Sequence, residues 1–324
     1  MVDPVFILAS PRSFTSVFSG ILGQHPDLFG APELHFIQSP TLGDFLQLKT
    51  EEANTKPIHG LLRLVAQLYA GEQTINSVSM ARRWIISRID IPSSDVFREL
   101  NAKVNPYRLV DKSPGYGLEM QRLNALESTF PNAFYIHLIR HPRAQCESLF
   151  RLLMDIRPSK KIRIDIYGKP SRLSQNIINT FYVQRDADNK IVDMYADLQL
   201  LWFRMQKRIE SFLATIPPSR KLQVRGEDLL GDLQPSLASL CSAVNIPYND
   251  FIYHEMLHPE NSAFACIGPL GAEYGNDINY LLDPSFKPRK AKKRYLDEGP
   301  LPWLPDGKGF NREVIKLAKS YGYE

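Results

Sequence analysis

The chain has 324 residues, 44% of them hydrophobic and 23% charged, values that supply a packed core and exclude a disordered or fibrous protein. A formal net charge of +4 suits an anionic ligand and is too mild to argue for nucleic acid. Three scattered cysteines (Cys146, Cys241, Cys266) form no C-x-x-C pair, and no stretch reaches the roughly 20 apolar residues of a membrane span, so a reducing, cytoplasmic protein without disulfides or a thiolate zinc site is expected.

The first apolar run, Val5 to Leu8, has strand length and passes into a loop of hydroxyl residues around Arg12. An amphipathic helix follows over about Thr15–Gly23, with Val17, Phe18, Ile21 and Leu22 at helical spacing. A strand, a tight loop and a helix N-terminus build an anion site from backbone N–H groups and the helix dipole. Here the loop adds a cation and three hydroxyls: Arg12, Ser13, Thr15 and Ser16. A loop through Pro26 and Pro32 then carries Glu33, and a mostly helical region runs from about Leu42 to Leu100.

Arg108 to Lys112 reads as a short strand entering the loop Ser113-Pro114-Gly115. Helical periodicity resumes at Leu118, Leu123 and Leu126 and stops near Pro131. Phe134 to Ile139 is a second buried strand, followed by Arg140-His141-Pro142 and a helix over about Arg143–Met154. The polar segment 157–193 reads as a lid or substrate loop. Tyr195 to Leu213 is a helix with Leu198, Leu201, Trp202 and Phe212 on one side. Leu222 to Arg225 forms a last strand, and helices follow over about Leu233–Val244 and Arg312–Ser320, separated by the Gly/Pro-rich segment 245–310.

Strands alternating with helices predict one α/β domain spanning 1–324, with a central parallel sheet whose ligands bind at the carboxyl ends of the strands. Arg12, Lys112, Arg140 and Arg225 all lie at or just past such ends, so four cations converge on one edge. A nucleotide triphosphatase loop, G-x-x-x-x-G-K-[ST], needs a lysine and glycines that this loop lacks.

The segment Ser10-Pro-Arg-Ser-Phe-Thr-Ser16 resembles the 5′-phosphosulfate loop of sulfotransferases that use 3′-phosphoadenosine 5′-phosphosulfate (PAPS). That family usually shows P-R-S-G-T-T; here Phe14 replaces the glycine and Ser16 the second threonine. Arg140-His-Pro-Arg-Ala-Gln-Cys-Glu-Ser148 is similar to the family's 3′-phosphate motif, an arginine at a strand end with a serine eight residues later. Val110-Asp-Lys-Ser-Pro114 and Leu222-Gln-Val-Arg-Gly-Glu-Asp-Leu229 resemble segments of the tyrosylprotein and bacterial branch. In the second of these, Gly226 stands where the branch has an aromatic residue. The likeness covers about the first 250 residues.

The resemblance implies a P-loop-like, three-layer fold and transfer of a sulfonate from PAPS to a hydroxyl, or an amine, leaving PAP (3′-phosphoadenosine 5′-phosphate). The acceptor would be a small molecule or carrier-tethered metabolite of specialised metabolism, with no nucleic acid, membrane or metal involved. It assigns cofactor binding to Ser10, Pro11, Arg12, Ser13, Phe14, Thr15, Ser16, Arg140, Ser148 and Arg225. A C-terminal basic loop, drawn from Lys287, Arg289 or Lys290, would cover the 3′-phosphate. The Phe14 ring is expected to turn away from the cofactor.

Glu33 is the candidate base, because an acceptor hydroxyl loses its proton as the S–O bond forms and a partly desolvated carboxylate can take it. His35 and His258 are second choices, and Lys112 with Arg12 would stabilise charge on the leaving phosphate. A Glu33 that merely pairs with a nearby cation is the competing reading. Segments 42–100 and 157–193 are assigned to the acceptor pocket. A P-loop kinase or ATPase with a degenerate loop, and a non-catalytic nucleotide-binding module, remain alternatives. His254-Glu-Met-Leu-His258 matches the H-E-x-x-H zinc pattern, but Pro259 disfavours helical geometry at His258.

Overall fold

The computed structural model describes residues 2–51, 56–155, 181–185, 191–286, 293–304 and 306–324. Its centre is a five-stranded parallel sheet: β1 (Val5–Leu8), β2 (Leu28–Gly30), β3 (Arg108–Asp111), β4 (Phe134–Ile139) and β7 (Lys221–Arg225), in the order β2-β3-β1-β4-β7. β5 (Phe181–Arg185) and β6 (Ile191–Ala196) form a separate antiparallel hairpin. The helices are α1 (Thr15–Leu22), α2 (Leu42–Glu51), α3 (Lys56–Ala70), α4 (Ile75–Ile86), α5 (Ser93–Val104), α6 (Met120–Thr129) and α7 (Pro142–Asp155). After them come α8 (Leu198–Leu213), α9 (Gly226–Gly231), α10 (Leu233–Val244), α11 (Asp250–Met256), α12 (Ile278–Leu282) and α13 (Arg312–Ser320).

The sheet is buried on both faces, as its unbroken apolar strands require. Side chains alternate along β1: Phe6 and Leu8 enter one core with α3 to α6 and the end of α8, while Val5 and Ile7 enter another with α1, α10 and α11. Trp202 and Cys146 join the C-terminal Trp303, Leu317 and Tyr321 in a third cluster beside the sheet. This is the three-layer α/β arrangement expected, and Trp84 and Trp202 are core residues.

Two elements depart from the sequence reading. β2 was not expected: it is three residues long and at an edge, too short for any periodicity to register. It is possible because Gly23, just past α1, lies against Gly30; a Cβ on Gly23 would fall 2.9 Å from the Gly30 backbone. The helix expected from Tyr195 begins instead at Leu198, because Tyr195 and Ala196 belong to β6. The H-E-x-x-H segment is split, with α11 ending at Met256 ahead of His258. No described helix is long and apolar enough to cross a membrane.

Candidate active site

Strand order explains what meets what. β1 lies between β3 and β4, so the loop after β1 sits between Lys112, one residue past β3, and Arg140, one residue past β4. β2 pairs with β3 in parallel with Gly30 opposite Val110, and the Ala31 N–H continues the ladder to the Val110 carbonyl. Two residues beyond Val110 comes Lys112, and three beyond Gly30 comes Glu33. The strand that sequence periodicity misses is therefore the one that delivers the carboxylate to the lysine.

The contact is close and nearly dry. Lys112, fully buried, donates from Nζ to Glu33 Oε1 at 2.6 Å and to Ser16 Oγ at 2.8 Å. The other Glu33 oxygen lies 3.1 Å from His35 Nε2. Burial alone would raise the Glu33 carboxyl, but the Lys112 ammonium and the His35 ring outweigh it and hold it at about 2. Glu33 is thus ionised at neutral pH, flanked by a cation on one oxygen and an imidazole on the other.

The loop carrying Glu33 is fixed from three sides. Its N–H donates to the Gly275 carbonyl at 2.7 Å. The N–H groups of Leu34 and His35 both donate to Ser113 Oγ, at 2.9 and 3.1 Å. Ser113 in turn donates to Asp111, which also accepts from the Tyr116 hydroxyl. Burial raises the Asp111 carboxyl above its ordinary value despite those hydrogen bonds. On the third side Gly60 of α3 touches the Glu33 carbonyl so closely that any Cβ there would overlap it. Sequence reasoning gave none of these supports, since each acts through a backbone atom distant in the chain.

The β1–α1 loop is strained into its cradle shape. Arg12 and Phe14 have φ of 69° and 63°, the left-handed region that side-chain-bearing residues seldom adopt. Three side chains brace it: Arg140 donates to the Arg12 carbonyl at 2.6 Å, Gln145 donates to the Pro11 carbonyl, and Gln206 donates to Ser10 Oγ at 3.4 Å. Gln206 is itself held by the buried His137, 2.6 Å away. The loop leads into α1, whose first-turn N–H groups have no intrahelical acceptor and whose first residues, Thr15 and Ser16, line the cavity.

These parts surround one cavity of about 1100 Å³, whose wall includes Arg12, Ser16, Glu33, His35, Arg140 and Ser148, together with Pro11, Phe14 and Thr15. Arg12 ties the halves together, donating from Nε to Ser148 Oγ at 3.2 Å while its terminal nitrogen pairs with Asp277. Asp277 comes from the segment Tyr274–Phe286, which forms the opposite wall, and its N–H donates to Ser16 Oγ at 3.1 Å. The Arg12 guanidinium is thus paired with a carboxylate of the chain itself. Arg151, one turn past Ser148, also lines the cavity and had no sequence signal beyond its place on α7.

Ser10 and Ser13 are buried beneath the loop, 3.1 Å apart, and do not line the cavity. Arg225 lies outside it. β7 is an edge strand, and Arg225 is engaged with Asp228 at 2.7 and 2.9 Å and with the Gly322 carbonyl. Of the four expected cations Arg12 and Arg140 line the cavity, and the fully buried Lys112 lies behind its wall, in contact with Glu33 and Ser16. His258 is mostly exposed, pairs with Glu260 at 2.9 Å, and is absent from the cavity wall. Phe14 is among the residues of the wall, and its ring lies against the Arg140 guanidinium and Gly226. Lys287, Arg289 and Lys290 lie outside the described residues.

A model of the sulfotransferase family matches residues 4–250. The chain belongs to that family. Among solved structures, the sulfotransferase domain from the curacin biosynthetic pathway is 24% identical with a TM-score of 0.73, covering 100% of this chain and 99% of the other. The sulfotransferase domain of the olefin synthase of Synechococcus PCC 7002 is 25% identical with a TM-score of 0.69, covering 100% and 97%. Comparison with curated proteins gives no match. At its sheet edge the protein brings together a cationic cradle, a buried lysine and an ionised carboxylate. Among the described residues no group of three or more His, Cys, Asp or Glu is placed to hold a metal ion.

Proposed function

We propose that the protein transfers a sulfonate from PAPS to a hydroxyl, or an amine, of a small molecule or carrier-tethered metabolite. The observation that carries this reading is the buried Lys112 ammonium held between Glu33 and Ser16, two residues of the cavity wall. When bound, PAPS supplies the transferable sulfonate and a bisphosphate leaving group. Arg12 and the N-terminus of α1 suit its 5′-phosphosulfate, and Arg140 with Ser148 suits the 3′-phosphate by charge-assisted hydrogen bonds. The anionic Asp277 on Arg12 supports the fit.

Glu33 takes the acceptor's proton. Its low pKa reflects Lys112 and His35, so any anion that draws Lys112 Nζ toward the cradle weakens that hold and raises the basicity of Glu33. Lys112, itself shielded from water, then bears on the charge that gathers on the leaving oxygen. Acceptor and base share the side of the cavity lined by Glu33, His35 and Tyr274. The family match speaks against the kinase reading.

The deciding experiment is transfer of labelled sulfonate from PAPS into pooled metabolite and carrier-protein fractions, with the product identified by mass spectrometry. Labelled product together with stoichiometric PAP is expected without added metal. Absence of both PAP binding and transfer rules the proposal out, whereas tight PAP binding without transfer to any fraction favours a binding module.

A further inference from the structure

We infer that Phe14 and Gly226 act as one unit that positions Arg140, and that this unit sets the preference for a 3′-phosphorylated adenosine ligand over one carrying only a 5′-phosphate. The inference rests on the PAPS reading above. Phe14 holds a left-handed backbone, φ 63° and ψ 14°, where a glycine would sit without strain. A large side chain kept at such a place is expected to do something with its ring. The ring lies beneath the Arg140 guanidinium, whose central carbon is 4.0 Å from the ring centroid. That face-on arrangement leaves the guanidinium edge as the donor surface, and one edge nitrogen already reaches the Arg12 carbonyl at 2.6 Å.

Gly226 completes the unit from the far side of the sheet edge. A Cβ there would fall 2.7 Å from Cδ2 and 3.2 Å from Cε2 of Phe14. Gly226 is not among the positive-φ glycines, so its backbone does not demand glycine; the Phe14 ring does. The loop after β1 and the first residue after β7 thus exchange bulk: the ring is supplied by the loop, and the strand end makes room for it. They meet beside Arg140, one residue past β4, the strand that lies between β1 and β7. A substitution at either position has one shared consequence, displacement of the plane on which Arg140 rests.

The test measures Kd for PAP and for adenosine 5′-phosphate by calorimetry. The proteins are the full chain and its Phe14→Leu, Phe14→Tyr, Gly226→Ala and Phe14→Leu/Gly226→Ala variants. Leucine keeps a side chain on the same left-handed backbone, so the strain is nearly matched and only the ring is lost. Phe14→Leu is expected to weaken PAP by about three- to thirtyfold, the range of a cation–π contact, and to leave adenosine 5′-phosphate within about twofold. Phe14→Tyr keeps the ring and retains the preference. Gly226→Ala, which leaves Phe14 in the chain but crowds it, loses the same preference, and the double variant is no weaker than either single one. Equal weakening of both nucleotides, or PAP binding unchanged in Phe14→Leu, overturns the inference alone. A wild-type protein that binds both nucleotides equally removes the 3′-phosphate reading and this inference with it.

Discussion

Glu33 is the residue whose setting decides the chemistry. Its two oxygens are shared between Lys112 and His35, so it is both the paired carboxylate of the plain reading and the candidate base of the functional one. Glu33→Gln keeps the shape and an oxygen for Lys112 but cannot accept a proton. Turnover should fall by about 10²–10⁴ while the Kd for PAP stays within about threefold; a variant with wild-type turnover moves the base elsewhere, to His35 first. Asp277 makes an opposite prediction. Its carboxylate holds Arg12 in a partly exposed pair that an incoming phosphate must break. Asp277→Asn should therefore tighten PAP by about two- to fivefold, as measured by calorimetry, and steepen the salt dependence of binding. Weaker binding in that variant would make Asp277 a ligand-positioning group instead.

Among the elements, the unexpected weight falls on α3 and on the shortest strand. Gly60 of α3 packs on the Glu33 carbonyl, and Gly275, at φ 112°, packs on Gly60 while its own carbonyl holds the Glu33 N–H. Gly60→Ala must push this stack apart. Since near-attack geometry tolerates little displacement, kcat is expected to drop about 10- to 100-fold with PAP binding preserved; unchanged kcat would mean that the Glu33 loop is not set by α3. The fold and the cradle were readable from sequence because β1, β3, β4 and β7 are short apolar runs that each end on or near a cation, and periodicity separates the helices. β2 was not readable, having only Leu28, Phe29 and Gly30 to signal it. The place of Arg225 was not readable either, because a list of strand ends carries no strand order, and only the order puts β7 at the edge. Gly226 was legible as an oddity beside the family pattern, and so was Phe14. That the two oddities touch is a tertiary fact.

For the whole molecule, the buried groups that shape the site also set its acid stability. His137, held by Gln206 below the cradle, and His141, just before α7, are both pushed down to about 4. Burial is the main cause for each, and at His141 Arg294, Arg143 and Arg140 add to it against Glu298. An unfolded histidine protonates near 6.5, so below that value the unfolded chain takes up protons that the native fold refuses. Stability is therefore fully present above pH 6.5 and is lost as pH falls toward 4, at up to about 1.4 kcal/mol per pH unit for each histidine. Glu33, depressed to about 2, extends the loss below its unfolded value of 4.5. Asp111 and Asp197, raised by burial, act in the opposite sense, so the absolute slope mixes both kinds of group. The comparison of wild type with His137→Gln isolates one histidine, because glutamine can still donate to Gln206. Urea unfolding between pH 7 and 4.5 should show a shallower pH slope in the variant, and PAP binding at pH 7 should persist if Gln206 still reaches Ser10. Identical slopes would place the acid sensitivity outside the layer beneath the cradle.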